Sequence, residues 1–168
     1  MSKSLIIYFS RADENYSVGY ISKGNTEYIA EFVRELTGAD IFKVEPEVPY
    51  SADYMTCIEE AKKRIGNAPI KEKLTDISVY DTIFIMSPIY WGTYAPEIET
   101  ALEGLDFTGK RVRVISTHEG SGLASMPSDV KKVCKGAEVD MNGLAIVGSQ
   151  AKNSKQKVAE WVKSAKVG

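Results

Sequence analysis

Five short β-rich runs alternate with five stretches of helical periodicity, and this alternation limits the fold more than any other feature. The runs are residues 5–9, 41–44, 82–86, 111–116 and 144–147. The first and third, Leu5-Ile6-Ile7-Tyr8-Phe9 and Thr82-Ile83-Phe84-Ile85-Met86, are nearly continuous in apolar residues. Strands buried on both faces of a parallel sheet have that pattern. Apolar residues three and four apart mark helices in the gaps. Ile29, Phe32, Val33 and Leu36 form the first set, stopped by Gly38. Tyr54, Ile58, Ala61 and Ile65 form the second, closed by Gly66-Asn67. Ile98, Ala101, Leu102 and Leu105 form the third, with Pro96 near its first turn. Val130, Val133 and Cys134 follow Ser125-Met126-Pro127. Val158, Trp161, Val162 and Ala165 close the series, with Asn153 or Ser154 as N-cap. Such an order predicts an α/β fold: a five-stranded parallel sheet, right-handed crossovers and helices on both faces. Ligands of these sheets lie beyond the carboxyl ends of the strands. The loops after the first, third and fourth runs are therefore the ones that carry chemistry.

Composition narrows the classes. A chain of 168 residues suits a single domain over 1–168 with a full core. A net charge of −2 offers no field for nucleic acid or an anionic membrane. No apolar run approaches the roughly 18 residues of a membrane span, and no basic-then-apolar leader opens the chain. Cys57 and Cys134 are far apart, each on a helical face, and read as small apolar filler rather than a disulfide or metal site. A cytoplasmic monomer is the expectation.

After the first run, Ser10-Arg11 leads through a polar stretch to Lys23-Gly24-Asn25-Thr26, where the first helix begins. A helix N-terminus binds anions through free N–H groups and its dipole. Gly24 lets backbone come close, Ser10, Asn25 and Thr26 add donors, and Arg11 or Lys23 adds charge. An ordinary N-cap at Asn25 or Thr26 explains the same residues equally well. Neither the Walker loop nor the GxGxxG fingerprint is matched here. After the third run comes Ser87-Pro88-Ile89-Tyr90-Trp91-Gly92-Thr93. Pro88 is expected to end the strand, since it lacks a ladder donor. Tyr90 and Trp91 read either as a plug for the core or as a platform for a flat ligand, with the platform favoured slightly. After the fourth run comes Thr117-His118-Glu119-Gly120-Ser121-Gly122, whose glycines free the backbone to approach a ligand. His118, the only histidine, has neither a metal set nor a triad at telling spacing. No catalytic residue or metal ligand is assigned.

Taken together, the three loops resemble those of flavodoxin over the whole chain. Tyr8-x-Ser10 with Gly24-Asn25-Thr26 is similar to the family's phosphate loop, and Pro88-Ile89-Tyr90-Trp91-Gly92 to the loop that carries a ring-stacking tryptophan. Thr117 to Gly122 is similar to the third loop in part of the family. The resemblance implies non-covalent FMN, a sheet in the order 2-1-3-4-5 and, with no insertion in the fifth strand, the short-chain form. It implies a cofactor-binding set of Ser10, Arg11, Gly24, Asn25, Thr26, Pro88, Ile89, Tyr90, Trp91, Gly92, Thr93, Thr117, His118, Glu119, Gly120, Ser121 and Gly122. It also implies a low-potential one-electron carrier between protein partners, a reductase and an electron acceptor. Three departures keep an FMN-dependent NAD(P)H or quinone oxidoreductase open. Residues 11–23 lengthen the first loop, with Asp13, Glu14 and Asn15 expected in solvent. The third loop has His118-Glu119 where a stacking tyrosine is usual. No acidic residue follows Gly92, which implies a potential less negative than that of acidic flavodoxins. A phosphorylated receiver module is rejected, because Ser10-Arg11 and Ser87-Pro88 stand where it needs acidic residues.

Overall fold

Alternate residues of the first strand serve two different cores. In the computed structural model, which describes residues 3–11, 13–15, 19–21 and 23–164 and the side chains of 3–11 and 23–164, Leu5, Ile7 and Phe9 face one side and Ile6 and Tyr8 the other. Ile6 and Ile7 are both fully buried, each worth about 1.5–3 kcal/mol of burial. A strand covered on both faces needs helices on both sides, and the chain supplies them.

Strand β1 (Ser4–Tyr8) is followed by β2 (Asp13–Asn15) and β3 (Gly19–Ile21), helix α1 (Asn25–Thr37), β4 (Asp40–Lys43) and α2 (Tyr54–Arg64). Then come β5 (Thr82–Tyr90), β6 (Thr93–Tyr94), α3 (Pro96–Leu102), β7 (Arg111–His118), α4 (Met126–Val133), β8 (Glu138–Val147), a 3₁₀ turn (Gly148–Asn153) and α5 (Lys155–Ser164). The main sheet runs β4-β1-β5-β7-β8, all parallel, which is the expected 2-1-3-4-5 order. Residues of α1 and α5 pack with Ile6 and Tyr8, and residues of α3 and α4 with Leu5 and Ile7. Helix α1 ends at Gly38, whose left-handed φ of 73° turns its N–H back to Arg34. Arg113 fastens α5 to the sheet. Its guanidinium lies 3.6 Å from the Trp161 ring centre and donates to the carbonyls of Trp161 at 3.1 Å and Val162 at 3.4 Å. Asp140 at 3.2 Å balances the charge, and a desolvated cation–π contact of this kind contributes about 2 kcal/mol.

Three local expectations change. Pro88 does not end its strand: β5 continues to Tyr90, with Pro88 in register with Thr117 of β7. Antiparallel pairing of Ile89 with Tyr94 and Tyr90 with Thr93 supplies the ladder beyond the proline. Buried Ser87 braces the same point, accepting from the Ala95 N–H at 2.8 Å and donating to the Pro88 carbonyl at 2.7 Å. The last strand begins at Glu138, not Leu144, and bulges where Arg113 pairs with Asp140 but Ile115 with Leu144. The polar insertion carries a small antiparallel hairpin, β2 against β3. The side chains of 12–22 lie outside the described residues, as does Ala165, so the solvated reading of Asp13, Glu14 and Asn15 has no counterpart here. Finally, α2 buries Cys57 and Ala61 rather than Ile58 and Ile65, and Ile65 is 59% exposed. Among the described residues, no helix is long and apolar enough to cross a membrane, and no cluster of His, Cys, Asp and Glu could hold a metal ion.

Candidate functional site

The ends of β1, β5 and β7 open on a cavity of about 350 Å³, within the span of small-ligand sites, about 300–1,000 Å³. Its base is the start of α1. Gly24 is the N-cap, and Ser10 Oγ accepts from the Glu27 N–H at 3.1 Å. Asn25 and Thr26 line the cavity, and N–H groups in a first helical turn have no intrahelical acceptor. Neither Asn25 nor Thr26 is the cap itself; they are the first two helical residues. Thr26 Oγ1 lies 2.8 Å from Thr117 Oγ1 in a buried contact that ties α1 to the end of β7. Arg11 also lines the cavity and is 8% exposed. Its Nη2 donates to the Ser51 and Ala52 carbonyls at 2.6 and 2.9 Å, drawing the approach to α2 onto the first loop. Lys23 is elsewhere, ion-paired with Glu31 along α1 and 4.5 Å from the Tyr28 ring centre.

The role of Gly24 differs from the expected one. Its φ is −64°, so no left-handed strain demands glycine. The requirement is space. A Cβ there would stand 2.0 Å from Ser10 Oγ and 2.9 Å from both the N and O of Arg11. The backbone comes close to its own chain, which sets the helix N-terminus against the first loop.

The second loop is a tight hairpin. Trp91 and Gly92 have φ of 56° and 84°, the paired positive values of a type I′ turn. Left-handed backbone costs a residue with a Cβ about 1–2 kcal/mol, and Trp91 bears it at the cavity mouth, 49% exposed. Its Nε1 donates to the Ile58 carbonyl at 2.7 Å, and Lys62 lies 5.2 Å from the ring centre. Ser125 donates to the Gly92 carbonyl from N at 3.0 Å and from Oγ at 2.9 Å. Tyr90 also lines the cavity but turns inward. Its ring meets Phe9 and Tyr50 edge-on at 5.9 and 6.1 Å, and burial pushes its hydroxyl pKa well up. The aromatic pair therefore divides: Tyr90 plugs the wall from inside and Trp91 stands at the opening. Pro88 and Ile89 complete this side.

The third loop contributes Thr117, His118, Glu119 and Ser121. His118 Nδ1 accepts from the Gly120 N–H at 2.9 Å. Ser116 Oγ donates to the Gly122 carbonyl at 2.8 Å. Ser10, Gly24, Gly92, Thr93, Gly120 and Gly122 support the walls without lining them. Three lining residues were not foreseen: Tyr54, Ile58 and Gly148. The first two sit four apart on the face of α2 that the periodicity assigned to the core. Gly148 directly follows β8, so the strand-end rule applied to the fifth run would have found it. A Cβ on Gly148 would lie 2.4 Å from Glu119 Oε1 and 2.5 Å from Asn25 Nδ2, so those two side chains converge there.

Burial pushes the His118 pKa below the usual 6.5, against the pull of Glu119. The folded state then binds this proton more weakly than the unfolded chain. Its stability contribution is whole above pH 6.5 and is lost as pH falls below that value. Urea melts at about pH 8 and about pH 5 should show a larger loss for the wild type than for His118→Gln. An equal loss in both would contradict the assignment.

The flavodoxin family model matches residues 15–165. The chain belongs to the flavodoxin family, and FMN is the cofactor which that membership carries. No curated protein matches it in sequence. Solved structures with the same fold include a flavoprotein from Lactobacillus acidophilus in complex with FMN, 24% identical with a TM-score of 0.63 over 91% of this chain and 98% of that one. A flavodoxin from Fusobacterium nucleatum bound to FMN is 16% identical with a TM-score of 0.53, over 98% and 97%. A candidate flavoprotein from Bacteroides eggerthii has a TM-score of 0.75 at 24% identity, covering both chains fully.

The donor set fits such a group. A helix N-terminus with Arg11 nearby suits a phosphate. Glu119 Oε1 is buried without a hydrogen-bond partner among the described residues, and a buried orphan acceptor is costly unless a ligand O–H or N–H reaches it. Tyr54, Ile58, Pro88, Ile89 and Trp91 supply the apolar surface a flat ring needs.

Proposed function

We propose that the protein is an FMN-dependent one-electron carrier working between a reductase and an electron acceptor, both proteins. The observation behind this reading is the conjunction, in one cavity, of the α1 N-terminus and the half-exposed Trp91 at its mouth. When bound, FMN supplies the electron chemistry. The first turn of α1, with Asn25 and Thr26, receives the phosphate. Trp91 forms one wall for the ring, and Pro88, Ile89 and Tyr90 keep water from its inner side. An opening lined by an exposed indole leaves the ring edge within reach of a protein partner. The near-neutral charge, with no acidic side chain after Gly92, favours a potential less negative than that of acidic flavodoxins.

One observation favours a second reading. The third loop presents His118 and Glu119 rather than an aromatic ring, so one side of the cavity has space for a quinone or nicotinamide. Mixing the pure holoprotein with NAD(P)H and a quinone separates the two. A carrier leaves NAD(P)H unoxidised until a separate flavoprotein reductase is added. Direct, saturable oxidation would contradict the carrier reading and support the oxidoreductase.

Trp91→Gly should divide fold from function. Glycine relieves the left-handed strain of about 1–2 kcal/mol, roughly offsetting the lost indole hydrogen bond, about 0.5–1.5 kcal/mol. The urea midpoint should barely move. FMN affinity should drop about tenfold, since stacking contributes about 0.5–1.5 kcal/mol beyond area burial. Unchanged affinity would remove Trp91 from the site.

A further inference from the structure

We propose that His118 is a hydrogen-bond donor to the FMN ring, held in a single tautomer by the loop that follows it. The inference rests on the FMN reading above and gives an atom and a hydrogen-bonding direction to a residue so far placed only at the cavity wall.

A backbone N–H can only donate, so the 2.9 Å contact from Gly120 N makes Nδ1 the acceptor. The neutral ring then carries its proton on Nε2. Protonating Nδ1 as well would set N–H against N–H and break that contact. The surroundings point the same way, because burial disfavours the imidazolium. The charged groups facing the ring, Glu119 on the same loop and Lys157 on α5, pull in opposite directions. His118 lines the cavity, and the edge turned from the loop backbone is the Nε2–H edge. Its partner is an acceptor atom on the ligand, a ring carbonyl oxygen or imine nitrogen. Glu119 Oε1, by contrast, converges with Asn25 over Gly148 at the α1 end, so the two neighbours address different parts of one ligand. A donor of fixed tautomer also serves the electron chemistry. Hydrogen bonds strengthen as their acceptor gains negative charge, and this one does so without giving up its proton.

A single histidine makes the test free of assignment. The apoprotein, labelled with ¹⁵N-histidine, is examined by NMR across neutral pH and then titrated with FMN. The expected spectrum has an unprotonated Nδ1 and a protonated Nε2. FMN should shift the Nε2–H signal in a one-to-one titration. In parallel, His118→Gln keeps an N–H near the Nε2 position and should bind FMN within about threefold of the wild type. His118→Phe keeps only the flat shape and should bind about tenfold more weakly, the worth of one lost hydrogen bond. A proton on Nδ1, or full FMN binding with the His118 signals unmoved, overturns this inference alone. An apoprotein that leaves FMN fluorescence unquenched overturns the functional reading and this inference with it.

Discussion

Gly24→Ala is expected to weaken FMN binding about 10- to 100-fold while leaving the sheet intact. The new Cβ would meet Ser10 Oγ at 2.0 Å and the Arg11 backbone at 2.9 Å. A hydroxyl can rotate away, but backbone atoms fixed at the end of β1 cannot. Phe9 N is bonded to the Met86 carbonyl at 3.0 Å, which holds that end of the chain in the sheet. The strain falls on the start of α1, whose N–H groups must move from the first loop. Overpacking costs about 1–3 kcal/mol, and that penalty, borne by the bound geometry, is about 10- to 100-fold in affinity. A second variant locates the cause. Adding Ser10→Ala removes the shorter clash and leaves the backbone one, so binding should recover only in part. Flavin fluorescence titration of the three proteins is the measurement. Wild-type affinity in Gly24→Ala would mean that the helix start does not hold the phosphate.

The second large effect concerns the wall behind the cavity. Glu97, at the start of α3, is fully buried, and the Tyr50 hydroxyl lies 2.9 Å from each of its oxygens. Arg64 donates to Oε2 at 3.2 Å, and its guanidinium stacks 4.0 Å from the Tyr50 ring centre. Burial and the Glu97 carboxylate together push the Tyr50 hydroxyl pKa far up, so it stays a donor. Removing one partner of a buried ion pair strands the other, at about 3–5 kcal/mol. Arg64→Ala should therefore lower stability by about 3 kcal/mol, the lower end because Tyr50 still holds Glu97. The double variant Arg64→Met with Glu97→Leu leaves no buried charge but takes the acceptor from the Tyr50 hydroxyl, so it should recover only part of that loss. Tyr50 packs edge-on against Phe9 and Tyr90, so Arg64→Ala should also weaken FMN binding. Urea melts read the first effect and fluorescence titration the second. A loss under about 1 kcal/mol, the size of an exposed pair, would show that the cluster does not hold the wall.

The parallel sheet was legible because strands covered on both faces are nearly continuous in apolar residues, as Leu5 to Phe9 and Thr82 to Met86 are, whereas its 2-1-3-4-5 order came from the flavodoxin resemblance. Helix α1 was legible because Ile29 and Val33 share one buried stripe and Gly38 stops it. Pro88 misled because the rule against proline concerns its missing donor, and pairing with β6 and β7 carries the strand past it. Helix α2 misled because periodicity reports a face, not what that face meets. The turn bearing Tyr54 and Ile58 meets a cavity, and burial falls on Cys57 and, of the expected set, on Ala61 alone. Gly24 was marked as a close-approach glycine, yet the object it approaches is its own chain, which only coordinates reveal. The division of labour between Tyr90 and Trp91 depends on a hairpin whose positive φ falls on the tryptophan, and nothing in their order along the chain announces it.

The most direct test is a visible spectrum of the purified protein, with the cofactor counted after denaturation. The expected result is a flavin spectrum, one FMN released per chain, and stoichiometric quenching of FMN fluorescence when the apoprotein is reloaded. A colourless protein that leaves added FMN fully fluorescent would contradict the reading of this cavity.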